Sequence, residues 1–184
     1  MMCKQDTILK FDFNKKIRMD FSGATISTDT GLLPYAEFAH RIGLREIIEN
    51  KIVVKNSQKK LPTYSTADKI VQQIYSFIAG YEDNVDTEIL RQDSIFKMVC
   101  NNDIASQPTL SRHENKFQRE HIEQFWAANL ELIAKAYTVK SPDEIMLDID
   151  STDDVVYGKQ ENAKYNGYYK DVVYHPLFVF DGNT

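Results

Sequence analysis

The chain is poor in the residues that build zinc sites and membrane segments. Its 184 residues include two cysteines, Cys3 and Cys100, which are far apart and share no C-x-x-C spacing, and four scattered histidines. The sequence therefore contains no Cys/His spacing that is typical of a zinc site. No stretch approaches the roughly 18 apolar residues of a membrane span. The lysines near the N-terminus are not followed by an apolar segment, so we see no signal peptide. We expect a protein of the reducing cytoplasm with no membrane partner.

The overall charge is acidic and the composition is ordinary for a globular protein. The net charge is −5, 42% of the residues are hydrophobic and 27% are charged. The charge argues against a histone-like nucleic-acid binder but leaves room for local basic patches. The length favours one domain or two small ones.

The apolar spacing predicts an α+β fold in three segments. Residues 1–30 read as an N-terminal β hairpin, 31–141 as a helical region and 142–184 as strands. The helical region contains apolar positions at helical spacing, interrupted at Gly43. Its predicted helices cover residues 32–52, 66–78, 87–99 and 107–137. Two strands follow, and in the second of them Pro176 predicts an edge position or a bulge.

The most informative stretch is acidic and lies at the start of the strand segment. Six of the twelve residues from Asp143 to Asp154 are acidic and none is basic. Side chains of a strand alternate between faces, so Asp148 and Asp150 share one face. Two acids aimed the same way are candidate ligands for a divalent cation such as Mg²⁺. The alternative is a solvent-facing Asp148 followed by a turn. An EF-hand is excluded, because Asp153 stands where its loop needs glycine.

Two further segments are candidates for DNA contact. A short helix, a turn and a helix starting at Gln107 or Pro108 have the order of a helix-turn-helix. One stripe of the second helix carries Thr109, Arg112, Lys116 and Arg119 at three- and four-residue spacing. Near its N-terminus, Gln107, Thr109 and Ser111 could meet bases or phosphates. The alternative is a solvated helix face. Residues 157–170 alternate tyrosines with lysines, and Lys159 and Lys164 could clamp a strand whose bases stack on the tyrosines. The alternative is a hairpin whose tyrosines pack on the domain.

Several segments in order give the chain a resemblance to bacterial insertion-sequence transposases of the DDE (Asp-Asp-Glu) type, over their N-terminal part. They are Leu90–Asp93 (LRQD), Ala105–Arg112 (ASQPTLSR), Leu147–Thr152 (LDIDST), Tyr157–Glu161 (YGKQE), Tyr165–Tyr169 (YNGYY) and Tyr174–Leu177 (YHPL).

The resemblance implies the opening strands of a ribonuclease-H-like catalytic domain in residues 142–184 and a DNA-binding role for residues 31–141. It implies that Asp150 is the first acid of the triad, with Asp148 as the alternative or a neighbouring partner. The later Asp and Glu cannot be assigned in this chain, so we expect a partial domain. The implied cofactor is a pair of Mg²⁺ or Mn²⁺ ions, completed by residues outside this chain. The implied partners are double-stranded DNA with terminal inverted repeats and a second copy in a homodimer, in the bacterial nucleoid.

Three functions remain open at this point. The first is DNA transposition by cutting and joining phosphodiesters. The second is a non-catalytic DNA-binding fragment that inhibits transposition. The third, which Asp148-Ile-Asp-Ser-Thr152 permits, is a phosphatase of the haloacid-dehalogenase type with Asp148 as nucleophile and Asp150 as general acid.

Overall fold

A computed structural model describes residues 8–20, 29–55, 62–101, 103–139 and 141–182. The chain forms two compact units, Met1–Ala136 and Tyr137–Thr184. The mixture of helices and strands confirms the predicted α+β class at that level. In the described residues no helix combines the length and the apolar character that crossing a membrane requires.

The first unit joins a small β hairpin to a group of helices. Strands β1 (Leu9–Lys10) and β2 (Arg18–Met19) pair antiparallel, as predicted, although residues 21–28 of the predicted hairpin segment lie outside the described residues. The helices are α1 (Leu32–Ile42), α2 (Leu44–Lys51), α3 (Thr66–Ile78), α4 (Thr87–Leu90), α5 (Ser94–Val99), α6 (Gln107–Glu114) and α7 (Arg119–Val139), with a 3₁₀ turn at Asn84–Asp86 before α4.

Two of the predicted helix boundaries are confirmed by their capping geometry. Gly43 adopts φ +67°, a left-handed conformation that favours glycine, and separates α1 from α2. Ser65 and Asp68 form a capping box at the start of α3. The Ser65 Oγ accepts a hydrogen bond from the Asp68 N–H at 3.0 Å, and the Asp68 carboxylate accepts one from the Ser65 N–H at 2.7 Å.

Two other predicted helices are wrong as continuous elements. The helix expected over residues 87–99 is divided, because the Asp93 carboxylate accepts the Phe96 N–H at 2.6 Å and caps a new helix, α5. The helix expected over residues 107–137 breaks between α6 and α7. There Asn115 Nδ2 donates to the Ser111 carbonyl at 2.8 Å, and the Gln118 N–H donates to His121 Nδ1 at 2.8 Å. Local polar side chains therefore replace the helical hydrogen bonds.

The core of the first unit forms where the apolar faces of α1 to α5 meet. Its most deeply buried large side chains are Leu33, Ile47, Leu90 and Phe96. Phe11 adds an aromatic ring from the hairpin, where Glu37 of α1 accepts the Asp12 N–H at 2.7 Å. The hairpin is therefore tied to the helices by both apolar burial and a backbone hydrogen bond.

A buried glutamine fixes the turn that leads into α6. Gln72 of α3 is 3% exposed and Ala105 is 1% exposed. The Gln72 Nε2 donates to the Ala105 carbonyl at 3.0 Å, and its Oε1 accepts the Ala105 N–H at 2.8 Å. Buried backbone groups require partners. This one side chain satisfies both groups of Ala105 and so joins α3 to the start of α6.

The second unit is built on an antiparallel ribbon that starts after α7. Its strands are β3 (Leu147–Ser151), β4 (Asp154–Val155), β5 (Lys164–Asn166), β6 (Asp171–Tyr174) and β7 (Leu177–Asp181). Strand β3 pairs with β7, while β4 and β5 flank β6. The sequence Asp181-Gly182-Asn183 is typical of a hairpin turn, and Asn183 lies outside the described residues. Gly182 donates its N–H to the Met146 carbonyl at 2.8 Å and extends the β3–β7 pairing.

Pro176 interrupts this ribbon without producing a bulge. Ser151 faces Leu177 on one side of the interruption and Asp154 faces Tyr174 on the other, so two residues separate the ladders on each strand. The register is therefore continuous. Proline has no N–H to donate, and its carbonyl still accepts the Thr152 N–H at 3.3 Å. The missing donor accounts for the division into two short ladders.

We predict that Gln72→Leu destabilises the first unit. Leucine has a similar volume but no polar atoms, so the N–H and C=O of Ala105 lose their partners in the core, at a cost of about 2–4 kcal/mol. Urea unfolding measures the difference. The exposed Gln92→Leu is the matched control and should change the free energy of unfolding by less than about 0.5 kcal/mol. Equal effects of the two substitutions would contradict the role given to Gln72.

Candidate functional site

The two acids predicted as metal ligands lie on one face of β3. Cross-strand partners share a face, and Asp148 pairs with Phe180 while Asp150 pairs with Phe178. The two phenylalanine rings are 5.9 Å apart on that face. Asp150 Oδ1 also accepts the N–H of Ser151 at 2.8 Å. Asp148 and Asp150 thus project side by side next to two aromatic rings.

The opposite face of the same ribbon is aliphatic and open. Leu147 is 63% exposed and Ile149 is 60% exposed. Two aliphatic residues on the same face of β7 are similarly exposed: Val179, which pairs with Ile149, and Leu177, which pairs with Ser151. Apolar side chains of this size are usually covered in a folded protein. The ribbon therefore has an uncovered apolar face behind the two acids.

The donor chemistry of this face fits a hard divalent cation, but only in part. Mg²⁺ and Mn²⁺ prefer oxygen ligands, and both carboxylates supply them. Within the ranges that the structure describes, no group of three or more His, Cys, Asp or Glu side chains is arranged to hold a metal ion. The strand therefore offers two of the carboxylates that a two-ion site requires.

Tyr169 lies in the electrostatic field of this acidic segment. Partial burial raises the pKa of its hydroxyl, and the negative charges of Asp153 and Asp150 raise it further. Its ring lies 5.7 Å from the ring of His175. The sequence placed Tyr169 only in a tyrosine-rich segment, and its proximity to Asp150 arises from the pairing of β4 with β6.

A second candidate site is a basic pocket between α3 and α6. The cavity has a volume of about 470 Å³. Its charged and polar lining comprises Thr63, Tyr64, Lys69, Thr109, Arg112, His113 and Lys116. Three of the predicted DNA-binding residues, Thr109, Arg112 and Lys116, are thus brought together at one cavity.

His113 lines this pocket and is only 3% exposed. Among the described residues, neither of its ring nitrogens has a hydrogen-bond partner. Its ring packs edge-on against Phe117 at 4.9 Å. Burial lowers the pKa of His113 to about 4, and the positive charges of Lys69 and Lys116 act in the same direction. The imidazole is therefore neutral at pH 7.

The other predicted DNA-binding residues lie elsewhere. Gln107 is the first residue of α6 and is half-buried, and it is not among the residues that line the pocket. Arg119 begins α7 and so does not continue the stripe of α6. Lys159 and Lys164 are exposed residues of the second unit. Their roles in DNA binding stay predictions.

Sequence reasoning missed Lys69 and His113. Lys69 is far along the chain from α6, and His113 follows Arg112 directly but faces the core. An isolated lysine or histidine in an apolar helix pattern carries no signal of a pocket. In the tyrosine-rich segment some tyrosines are exposed, as stacking on DNA bases would require, and others pack on the domain. Tyr157 and Tyr168 are 86% exposed, whereas Tyr174 is half-buried and donates its hydroxyl to the Glu161 carbonyl at 2.7 Å.

The model of one protein family, described as transposase DDE domain group 1, matches residues 9–184. No curated protein and no solved structure matches the chain.

We predict that His113 makes the folded protein acid-sensitive. The pKa of its imidazole is about 4 when folded and near 6.5 when unfolded, so between these values the unfolded chain binds a proton that the folded chain does not. Stability should therefore fall with decreasing pH across this window, by on the order of 2–3 kcal/mol from this group. Urea unfolding at several pH values measures it. His113→Leu should remove that part of the slope, and His40→Leu, at an exposed position, should retain it.

Proposed function

The chain belongs to the transposase DDE domain family, and from this membership we propose that it acts in DNA transposition by binding transposon ends and contributing to the cutting and joining of DNA phosphodiesters. The observation that carries the proposal is the family match over residues 9–184, which includes the strand with Asp148 and Asp150. Membership of a family indicates a class of reaction, whereas the role of each residue follows from the chemistry of the site.

For the second unit we propose a ribonuclease-H-like catalytic role. Asp150 is the first acid of the triad, with Asp148 as the alternative. A bound pair of Mg²⁺ or Mn²⁺ ions would activate the attacking oxygen and stabilise the leaving oxygen. The contribution of this chain is to hold two carboxylates on one face of β3, supported by its antiparallel pairing with β7. The remaining acidic ligands come from outside the described residues, so the unit works as part of a larger site.

For the first unit we propose binding of double-stranded DNA at the terminal inverted repeats. Helix α5, a turn and α6 follow one another in helix-turn-helix order, and α6 carries Thr109 and Arg112, with Lys116 just beyond its end. The cations can neutralise backbone phosphates, which are the main source of affinity for DNA. We further propose that the chain forms a homodimer in the nucleoid of a bacterial cell, since two copies could each bind one end of the transposon.

A second candidate function is DNA binding without catalysis. It is favoured by the finding that the described residues offer no cluster of three metal-binding side chains. Such a chain would occupy transposon ends and inhibit the full enzyme. The phosphatase alternative gains no such support. Phosphatases of the haloacid-dehalogenase type place their motif at the start of a parallel α/β unit. In the described residues every strand pair is antiparallel, and only strands follow β3.

We predict that Asp148 and Asp150 bind a divalent cation without contributing to DNA affinity. Mn²⁺ should broaden the NMR signals of β3 residues in the wild-type chain, and Asp150→Asn should remove most of that effect because it deletes one charged oxygen ligand. Duplex affinity, measured by gel shift with inverted-repeat DNA, should change by less than about two-fold, since the acids bind the metal and not the phosphates.

Glu161→Gln removes one exposed negative charge from the same unit and serves as the control. It should leave the Mn²⁺ broadening of β3 intact. Equal broadening in the wild type and in Asp148→Asn/Asp150→Asn would remove both acids from any metal site. Mg²⁺-dependent strand cleavage by the chain supports catalysis, and duplex binding without cleavage supports the inhibitory fragment.

A further inference from the structure

We propose that Lys69, Arg112, His113 and Lys116 form a pocket that seats one phosphate group of the DNA backbone. The inference rests on the proposed DNA binding and deepens it, because it names the chemical group and the residues that receive it. Lys69 comes from α3, Arg112 and His113 from α6, and Lys116 from the segment after α6. The pocket is therefore formed only where two helices meet.

The first step of the argument is charge. Three cationic side chains line the cavity, and no carboxylate is among its lining residues. The nearby Asp68 is paired with Arg45 and with the Ser65 backbone. Glu114 of α6 accepts hydrogen bonds from Gln73 and from Asn84, the latter at 2.8 Å, and lines a different, apolar cavity. The charged side chains of the lining are therefore all positive, and the nearest acids, Asp68 among them, act from outside the pocket. A lining of this charge favours an anion.

The second step is the partner that His113 lacks. Leaving a buried polar group without a hydrogen bond destabilises the fold, and buried side-chain nitrogens are seldom without a partner. His121, the neighbouring buried histidine, shows the usual state, because its Nδ1 accepts the Gln118 N–H at 2.8 Å. A neutral imidazole carries one N–H donor, and a phosphate oxygen would accept it. His113 therefore points to a ligand that supplies acceptor oxygens.

The third step is that the donors are held in place before any ligand arrives. Lys69 is 8% exposed, and its Nζ donates to the Tyr64 carbonyl at 2.9 Å, which leaves further N–H donors on the same ammonium group. Tyr64 is anchored in turn, since its hydroxyl donates to Asp103 at 2.8 Å. Arg112 and Lys116 are exposed at the rim. The cations thus extend from the surface into the interior of the pocket.

The lining matches a phosphate better than a base edge. Arginine, lysine and the imidazole N–H are all donors, whereas phosphate oxygens are all acceptors. Exposed cations at the rim can follow the backbone of a duplex, and the buried Lys69 and His113 then meet the oxygens of a single phosphate. Free inorganic phosphate has the same chemistry, so the test must separate the two sources.

The test monitors the His113 ring by NMR while the full chain is titrated with an inverted-repeat duplex or with inorganic phosphate. A duplex should shift the His113 ring nitrogens and leave those of His121 unchanged. Arg112→Gln/Lys116→Gln should abolish the His113 response. Both substituted residues are exposed, so the fold should be retained, and His121 ring signals that match those of the wild type in the double variant verify it.

Salt dependence supplies the second measurement. Each phosphate contact adds about 0.9 to the slope of log affinity against log salt concentration. Because the pocket seats one phosphate, Arg112→Gln/Lys116→Gln should lower the slope by close to that amount, and each single substitution should lower it by part of that amount. Lys15→Gln is the matched control, because it removes one exposed positive charge from the same unit at a position outside the pocket, and its slope should equal that of the wild type.

The outcomes distinguish the pocket from the function. Duplex binding with an unchanged His113 ring, or with slopes equal in Lys116→Gln and Lys15→Gln, would overturn the pocket while the proposed function stands. A His113 response to inorganic phosphate without any duplex binding would overturn the assignment to DNA and the proposed DNA-binding role together. A duplex-specific response that the double variant abolishes supports both.

Discussion

The two hydrogen bonds between Gln72 and Ala105 are the interaction on which the helical unit most depends. They satisfy a backbone N–H and a backbone C=O in the core with one side chain, and they set where α6 begins relative to α3. Lys69 lies one turn before Gln72 on α3, and His113 lies two turns beyond Ala105 on α6. The same contact that stabilises the turn therefore also brings these two residues to one pocket, and the fold and the proposed phosphate site share a single constraint.

The second unit has an opposite balance of forces. Strand β3 places two carboxylates on one face, where they repel each other, and leaves aliphatic side chains exposed on the other. Neither feature stabilises an isolated ribbon. Both fit the role proposed for a DDE transposase, since a bound divalent cation would relieve the repulsion and a covering layer would bury Leu147 and Ile149. The arrangement is thus better explained by the chemistry it presents than by the stability of the ribbon.

The two units contribute different parts of the proposed reaction. The helical unit supplies donors that receive phosphates, and its acids near α6 are engaged elsewhere, as Glu114 is by Asn84. The ribbon supplies acids that hold metal ions, and Pro176 interrupts its ladder beside Thr152 without changing the register on which the positions of Asp148 and Asp150 depend. Binding and catalysis can therefore be separated by substitution, because the charges of opposite sign lie in different units.

The sequence by itself determined the features that depend on neighbours along the chain. Gly43 ends α1 because the chain turns there through a left-handed conformation, which glycine adopts most easily. Ser65 caps α3 together with Asp68. Asp148 and Asp150 share a face because the side chains of a strand alternate. Only the tertiary structure decided what depends on distant residues. The pocket depends on Lys69 and His113, 44 positions apart, whose burial and missing hydrogen bonds exist only after the helices have packed.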